Sequence, residues 1–553
     1  MRLLLTGILH LLAGIGILTA QNIVKPDEPM SPLQTKYAGK IVFLNAQYPI
    51  EQLTEDKFLT AFEFKEGSTL DARLFLKNSL TNYLHELNSS LTAEQLLKNG
   101  NFQFTFYVDG KSIYTENLNT GAGTSKGKNQ WITLRIPLIS PTNEDSWGRY
   151  LWSRFYYANG GEDAVFGGKH LLKIEIRPYI KTDSGIKTGT IIAEGQIHFE
   201  QPAIQLTEKQ IAIQPIETGS GWSISNDGFD KRLIKELNTR ILQKRFKEIT
   251  SVAVIKNGKL LLEEYFNGTN RKSLHDTRSV GKSFASTMTG IAIQEGYLKN
   301  ENQSLSQFYN LKDYSNYTAS KDSIKIKDLL TMSSSFEGSD QDWNSPGNEE
   351  NMYPTDNWVK FALDLPIDKN KKNAKQWDYF TAGVVVIGDI LNQKVPQGLE
   401  SYADKKLFKP LEITHYQWQY TPQKVANTAG GLGLETLGLA KYGQLYQNKG
   451  KWKGKQLLSS SWVKKTFTNY FPEDQNLSGY GYLFWREKFE IEGKSYEAYL
   501  CSGNGGNKVY IFQNLPLVIV LTSTAYNQPY AHKQASQIVT NYLLPAVLNS
   551  KTH

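Results

Sequence analysis

The sequence predicts an α+β protein built from two unlike parts, and three patterns predict it. Residues 21–215 carry short strand-like runs, the clearest being Phe102, Phe104, Phe106 and Val108 alternating with Gln103, Thr105 and Tyr107 ahead of an Asp109-Gly110 turn. From residue 222 the pattern changes: a strand pair comes early, helical and loop segments fill a long middle, and two strands come late. Early and late strands around a helical middle imply an antiparallel sheet closed by both ends of the domain, with helices against it.

The first part is read as a mostly-β, sandwich-like domain. Trp131–Ile139, Leu171–Ile180 and Thr190–Phe199 are further strand candidates between Gly, Ser, Asn and Asp clusters, with one helical insertion from Leu80 to Leu97. Its aromatics Trp147, Tyr150, Trp152, Phe155, Tyr156 and Tyr157 are read as core and sheet-face residues before they are read as a binding surface. Gln201–Gly221 resembles a linker. In the second part Phe229–Phe246 has helical spacing, and Ile249–Ile255 and Leu260–Tyr265 flank an Asn257-Gly258 turn. Val509–Phe512 and Leu517–Thr522 are the late strands, and a helix from Gln534 to Leu544 closes the chain. The expected division is therefore 1–20, 21–215 and 222–553.

At 553 residues the chain exceeds one ordinary core, and 40% hydrophobic with 21% charged residues marks it as globular. A formal charge of +8 is spread without a dense basic block, which argues against nucleic acid as a partner. Met1–Ala20 has Arg2, an apolar run from Leu3 to Leu18 and small or polar Thr19 and Ala20, the pattern of a secretory signal peptide. Export to a periplasm or the exterior is the expectation. Cys501 is the only cysteine, so an internal disulfide and a cysteine-cluster metal site are both excluded, and it is read as a small buried hydrophobe. The eight histidines are dispersed, without His-Glu-x-x-His spacing, so neither a metal nor a cofactor is expected.

The chemistry concentrates at Thr277-Arg278-Ser279-Val280-Gly281-Lys282-Ser283-Phe284, ahead of an apolar helical run. An i,i+3 pair shares one helix face, so the Lys282 amine can reach the Ser279 hydroxyl. A serine hydroxyl needs a neighbouring base before it attacks, and a helix start favours developing negative charge. Gly281-Lys282-Ser283 also looks like the end of a phosphate loop, but Asp276 stands where its first glycine belongs. His275, four residues before Ser279, is read as structural.

Beyond residue 222 an ordered series of segments resembles the serine β-lactamase and penicillin-binding-protein superfamily, most of all its class C-like hydrolases of the 6-aminohexanoate-dimer hydrolase and carboxylesterase branch. Ser279–Phe284 is similar to the family's first motif, and Asp328–Ser335 to its Leu-Leu-Thr-Met-Thr-Ser-Gly segment, with Ser335 in place of glycine. Tyr379-Phe380-Thr381 resembles its Tyr-x-Asn element. Gly430-Gly431-Leu432 and Gly479–Tyr482 follow, and Gly503-Asn504-Gly505-Gly506-Asn507 occupies the place of the Lys-Thr-Gly motif.

The resemblance implies a β-lactamase-like fold for 222–553 and a cofactor-free serine hydrolase acting on a small-molecule or peptide ester or amide. In its terms Ser279 is the nucleophile, and Lys282 and Tyr379 manage the protons. The Ser279 N–H and an N–H after the glycine run, that of Asn507, form the oxyanion hole, and Thr381, Asn504, Gly505 and Gly506 line the substrate site. Thr381 for asparagine and Asn504 for a charged or imidazole side chain depart from the family, and point away from a true β-lactamase. The alternative is a cell-envelope protein binding glycan or peptide, contacted through the N-terminal domain, on an inactive hydrolase scaffold.

Overall fold

A computed structural model describes residues 21–65, 67–141, 147–369, 376–472 and 477–548. The stretch read as a signal peptide lies outside the described residues. The chain forms two compact units, Met1–Gln205 and Leu206–His553.

In the first unit the described strands hydrogen-bond into one nine-stranded sheet, where the sequence reading expected a sandwich. Helical pieces, not a second sheet, cover its apolar face. Leu80, Leu84 and Leu96 from two helices, and Leu151, Trp152 and Phe155 from another segment, pack on Phe102, Phe104 and Phe106 of strand Gly100–Val108. The expected helix at 80–97 is two, Leu80–Leu87 and Ala93–Asn99, because Thr92 and Gln95 form a capping box that starts a new helix. Of the aromatics between 147 and 157, Trp152, Phe155 and Tyr156 are buried while Tyr150 and Tyr157 are exposed.

The linker-like stretch is tied down within the second unit. Gln214 donates its backbone N–H to the buried Glu264 carboxylate at 2.9 Å. The unit's main sheet is antiparallel, in the order 259–265, 249–256, 517–523, 507–512, 494–503, 485–491. Lys256 pairs with Lys259 across Asn257 and Gly258, whose φ values of 53° and 72° are those of a tight hairpin turn.

Successive strand residues face opposite sides, and both sides are covered, so the strands read as nearly continuous apolar runs. Ala253, Ile255, Val509, Val518 and Val520 meet Phe284, Met288 and Ile291 of the helix after Ser279. Val252, Val254, Tyr510, Ile519 and Leu521 meet Ile234 and Leu237 of the helix Lys231–Leu242 and Ile538 and Leu543 near the C-terminus. The result is a helix–sheet–helix stack, with the Ser279 helix sealed in its interior. Among the described residues no helix is long and apolar enough to cross a membrane, and no acidic, His or Cys cluster fits a metal.

Candidate active site

Ser279 is the N-cap of the helix Val280–Gln294. The turn before it is strained, since Arg278 holds φ at +52°, a left-handed conformation costing on the order of 1–3 kcal/mol for a residue with a Cβ. Neighbours over-determine it. Arg278 pairs with Asp276 at 3.2 Å, and its guanidinium lies 4.4 Å from the centre of the Tyr526 ring. Thr277 donates its hydroxyl to the Leu432 carbonyl at 2.6 Å.

Lys282, one helical turn on and buried, has its Nζ 3.0 Å from Ser279 Oγ and also donates to the Ala429 carbonyl. Ala429 precedes the Gly430-Gly431 pair noted in the sequence. The same Nζ lies 5.2 Å from the centre of the Tyr379 ring. Ser279, Lys282 and Tyr379 are thus together, though 97 residues separate the last two in sequence.

Tyr379 stands among aromatics, with Trp485 stacked at 5.7 Å and Trp377 at 6.3 Å. Its backbone is held from two directions. Asp378 donates its N–H to the Met332 carbonyl, and Asp340 donates its own N–H to the Tyr379 carbonyl, each at 2.8 Å. Thr381 opens the helix Thr381–Lys394 and is buried; its N–H goes to Asp340 Oδ2 at 2.7 Å, and its hydroxyl has no hydrogen-bond partner among the described residues. Burial, with Glu349 next in effect, raises the Asp340 carboxyl to about 6.

The glycine run divides in role. Gly503 ends the strand Lys494–Gly503 against the Ser279 turn, and a Cβ there would lie 2.1 Å from the Thr277 carbonyl oxygen. Gly505 and Gly506 shape the following turn against Tyr526 and Ala531, so their small size serves packing within the chain. Asn504 is exposed and gives its side chain to Asn527 at 2.6 Å. Asn507 is buried; its side chain donates to the Asn504 and Ser523 carbonyls and accepts the Ser523 N–H, which makes it the brace of the turn.

Of two further buried groups, Lys508 carried no signal in the sequence and His275 was read as structural. Lys508 is buried and donates to Ser502 at 2.7 Å, and burial lowers its ammonium to about 8. His275 sits in a closed ring of buried groups. Its Nδ1 is 3.2 Å from Thr250 Oγ1 and its Nε2 3.1 Å from Thr436 Oγ1, and those hydroxyls connect through Thr522 and Ser251 at 2.5–2.7 Å. The four hydroxyls and a neutral imidazole offer one donor for each of the five contacts, and burial lowers His275 to about 4, which favours the uncharged form. Cys501 is buried without a disulfide, its thiol pushed up to about 12 by burial.

An α+β unit with a serine and lysine sharing the first turn of its buried central helix defines a class of hydrolase folds. The chain belongs to the beta-lactamase family, whose model, described as Beta-lactamase, matches residues 240–539, and with it to the serine β-lactamase and penicillin-binding-protein superfamily. Among solved structures it is similar to a Bacillus anthracis protein named as a 6-aminohexanoate-dimer hydrolase, at 18% identity over 53% of this chain and 79% of that one, with a TM-score of 0.44. A Bacteroides dorei protein named as a beta-lactamase matches at 13% identity over 58% of this chain and 100% of its own, TM-score 0.47. FmtA from Staphylococcus aureus matches at 15% identity over 61% and 92%, TM-score 0.40. No curated protein matches the chain.

Proposed function

We propose that this protein is an exported serine hydrolase that cleaves an ester or amide bond through an acyl-enzyme on Ser279. The observation that supports it most is the 3.0 Å separation of Ser279 Oγ from the buried Lys282 Nζ, with the Tyr379 ring against the same amine. At that distance the serine hydroxyl hands its proton to the Lys282–Tyr379 pair as Oγ bonds to the substrate carbonyl carbon. The carbonyl oxygen becomes an oxyanion, stabilised by the Ser279 N–H at the helix start and by an N–H of the turn that Gly503 opens. The sequence reading placed this second donor at Asn507; we assign it instead to Asn504, which directly follows the residue in contact with Thr277. Collapse of the adduct breaks the bond to the leaving group, which takes the proton from the pair. Water then attacks the ester carbon by the same route and frees Ser279.

An ester or a linear amide suits the site. The Asn504 side chain is neutral and spent on Asn527, and Thr381 replaces a side chain amide with a hydroxyl. Export rests on the Met1–Ala20 pattern, and envelope contact through the N-terminal unit on its exposed Tyr150 and Tyr157.

The test is intact-mass analysis after a fluorophosphonate probe, beside Ser279→Ala. One adduct, mapping to Ser279 and absent from the variant, is expected. No adduct, together with silence on small p-nitrophenyl esters, would overturn the reading in favour of a cell-envelope binding protein on a retired scaffold.

A further inference from the structure

We infer that Asp340 is a positioning residue, whose carboxylate clamps the backbone around Tyr379 so that the phenol stays over Lys282. The inference rests on the reading of Ser279, Lys282 and Tyr379 given above, and it concerns a residue with no part in that mechanism.

The geometry is specific. Both carboxylate oxygens are used: Oδ1 accepts the Glu349 N–H at 2.9 Å, and Oδ2 the Thr381 N–H at 2.7 Å. The Asp340 N–H returns to the Tyr379 carbonyl at 2.8 Å. Asp340 therefore grips the chain at the carbonyl of Tyr379 and again two residues on, at the first N–H of the helix Thr381–Lys394. Two orphan N–H groups at helix starts meet one charge, an arrangement that favours the ionised form. Met332 completes the hold, since its carbonyl accepts the Asp378 N–H and its sulfur the Phe380 N–H. A side chain at 379 so constrained has little freedom to leave the amine.

The charged surroundings say when the clamp is engaged. Burial and the Glu349 carboxylate oppose ionisation, while the Thr381 N–H and the Lys282 ammonium favour it, with a balance near 6. The Tyr353 phenol donates to the Glu349 carboxylate, and the Asp340 charge helps to keep that phenol protonated. A protonated Asp340 turns one oxygen into a donor facing an N–H, and the clamp opens. Asp340→Asn reproduces this state permanently, because its amide nitrogen cannot accept.

The experiment uses the full chain. Hydrogen exchange read on peptides spanning 377–382 and 347–352 should rise in Asp340→Ala and Asp340→Asn, with the sheet unaffected. Labelling of Ser279 by a fluorophosphonate probe should slow by at least about tenfold in both variants through the maximal rate, with the half-saturating probe concentration unchanged. The wild-type labelling rate should fall as pH drops through the region of 6, and Asp340→Asn should lose that limb. Asp340→Glu should recover part of the rate. Unchanged exchange at both peptides overturns the clamp whatever the enzyme does. Wild-type rate and pH profile in Asp340→Asn overturn its role in positioning Tyr379. A wild type that never labels while exchange responds as expected counts against the hydrolase reading, and leaves the clamp standing as a structural contact only.

Discussion

Gly503 lies against Thr277 so closely that a Cβ on the glycine would sit 2.1 Å from the threonine carbonyl oxygen and 3.3 Å from Val280 Cγ2. Its φ of −126° is ordinary extended backbone, so glycine is required here by space and not by conformation. Gly503→Ala should push the strand end away from the Ser279 turn, costing about 1–3 kcal/mol as backbone overpacking does. A lowered melting temperature together with strongly slowed probe labelling is the expected pair of results. Labelling at the wild-type rate would show that the contact does not set the site.

Lys282 is expected to act by exchanging a proton, not merely by carrying charge. Lys282→Ala and Lys282→Arg should therefore both slow ester hydrolysis by about a hundredfold or more, since a guanidinium keeps its protons at any working pH. Steady-state rates on p-nitrophenyl esters decide it: substantial activity in the arginine variant would mean that a fixed cation suffices.

The His275 ring makes a prediction about acid. Its folded-state value of about 4 lies below the unfolded 6.5, so the unfolded chain binds the extra proton between those limits. Stability from His275 is complete above pH 6.5 and is lost as pH falls toward 4, by as much as about 3 kcal/mol. His532 shifts the same way, while Asp340 and Glu264, both raised, act in the opposite sense. The measurement is thus a difference: urea melts of wild type and His275→Phe at pH 4.5 and 7. The variant should be less stable at pH 7, by about 2 kcal/mol for unpaired buried hydroxyls, and the gap should narrow in acid. A constant gap would remove the ring's dependence on a neutral imidazole.

Lys508 should behave as a strained cation. Burial lowers it to about 8 from 10.5, so its penalty is full below pH 8 and is relieved as pH climbs through 8 toward 10.5. Wild-type stability should gain up to about 3 kcal/mol from this one group across that interval. Lys508→Met should be the more stable protein at pH 7.5 and lose its advantage near pH 10. The same stability difference between the two proteins at both pH values, read from the midpoints of urea melts, would refute this.

Those expectations divide by how far apart the participating residues lie. Serine and lysine at i and i+3 on a helix, and Asn257-Gly258 between two strands, are local patterns. Helix pitch and turn dihedrals follow from neighbouring residues alone, so the 3.0 Å Ser279–Lys282 distance and the Lys256–Lys259 pairing were legible in the chain. The alternating strands of residues 21–215 were legible too, but not what would cover them. An apolar strand face is equally satisfied by a second sheet or by helices, and here Leu80, Leu84 and Trp152 supply helices.

Likewise the sequence marked Tyr379 by motif, while nothing local tied it to Asp340, or Gly503 to Thr277. Each of those pairs is made by chain segments that meet only once the sheet and the helices around it are packed. Sequence by itself determined the Ser279–Lys282 pair and its helix, because their geometry is that of a single turn. Tertiary structure decided what holds the pair in place, because hydrogen bonds and close contacts between distant segments have no periodicity to read.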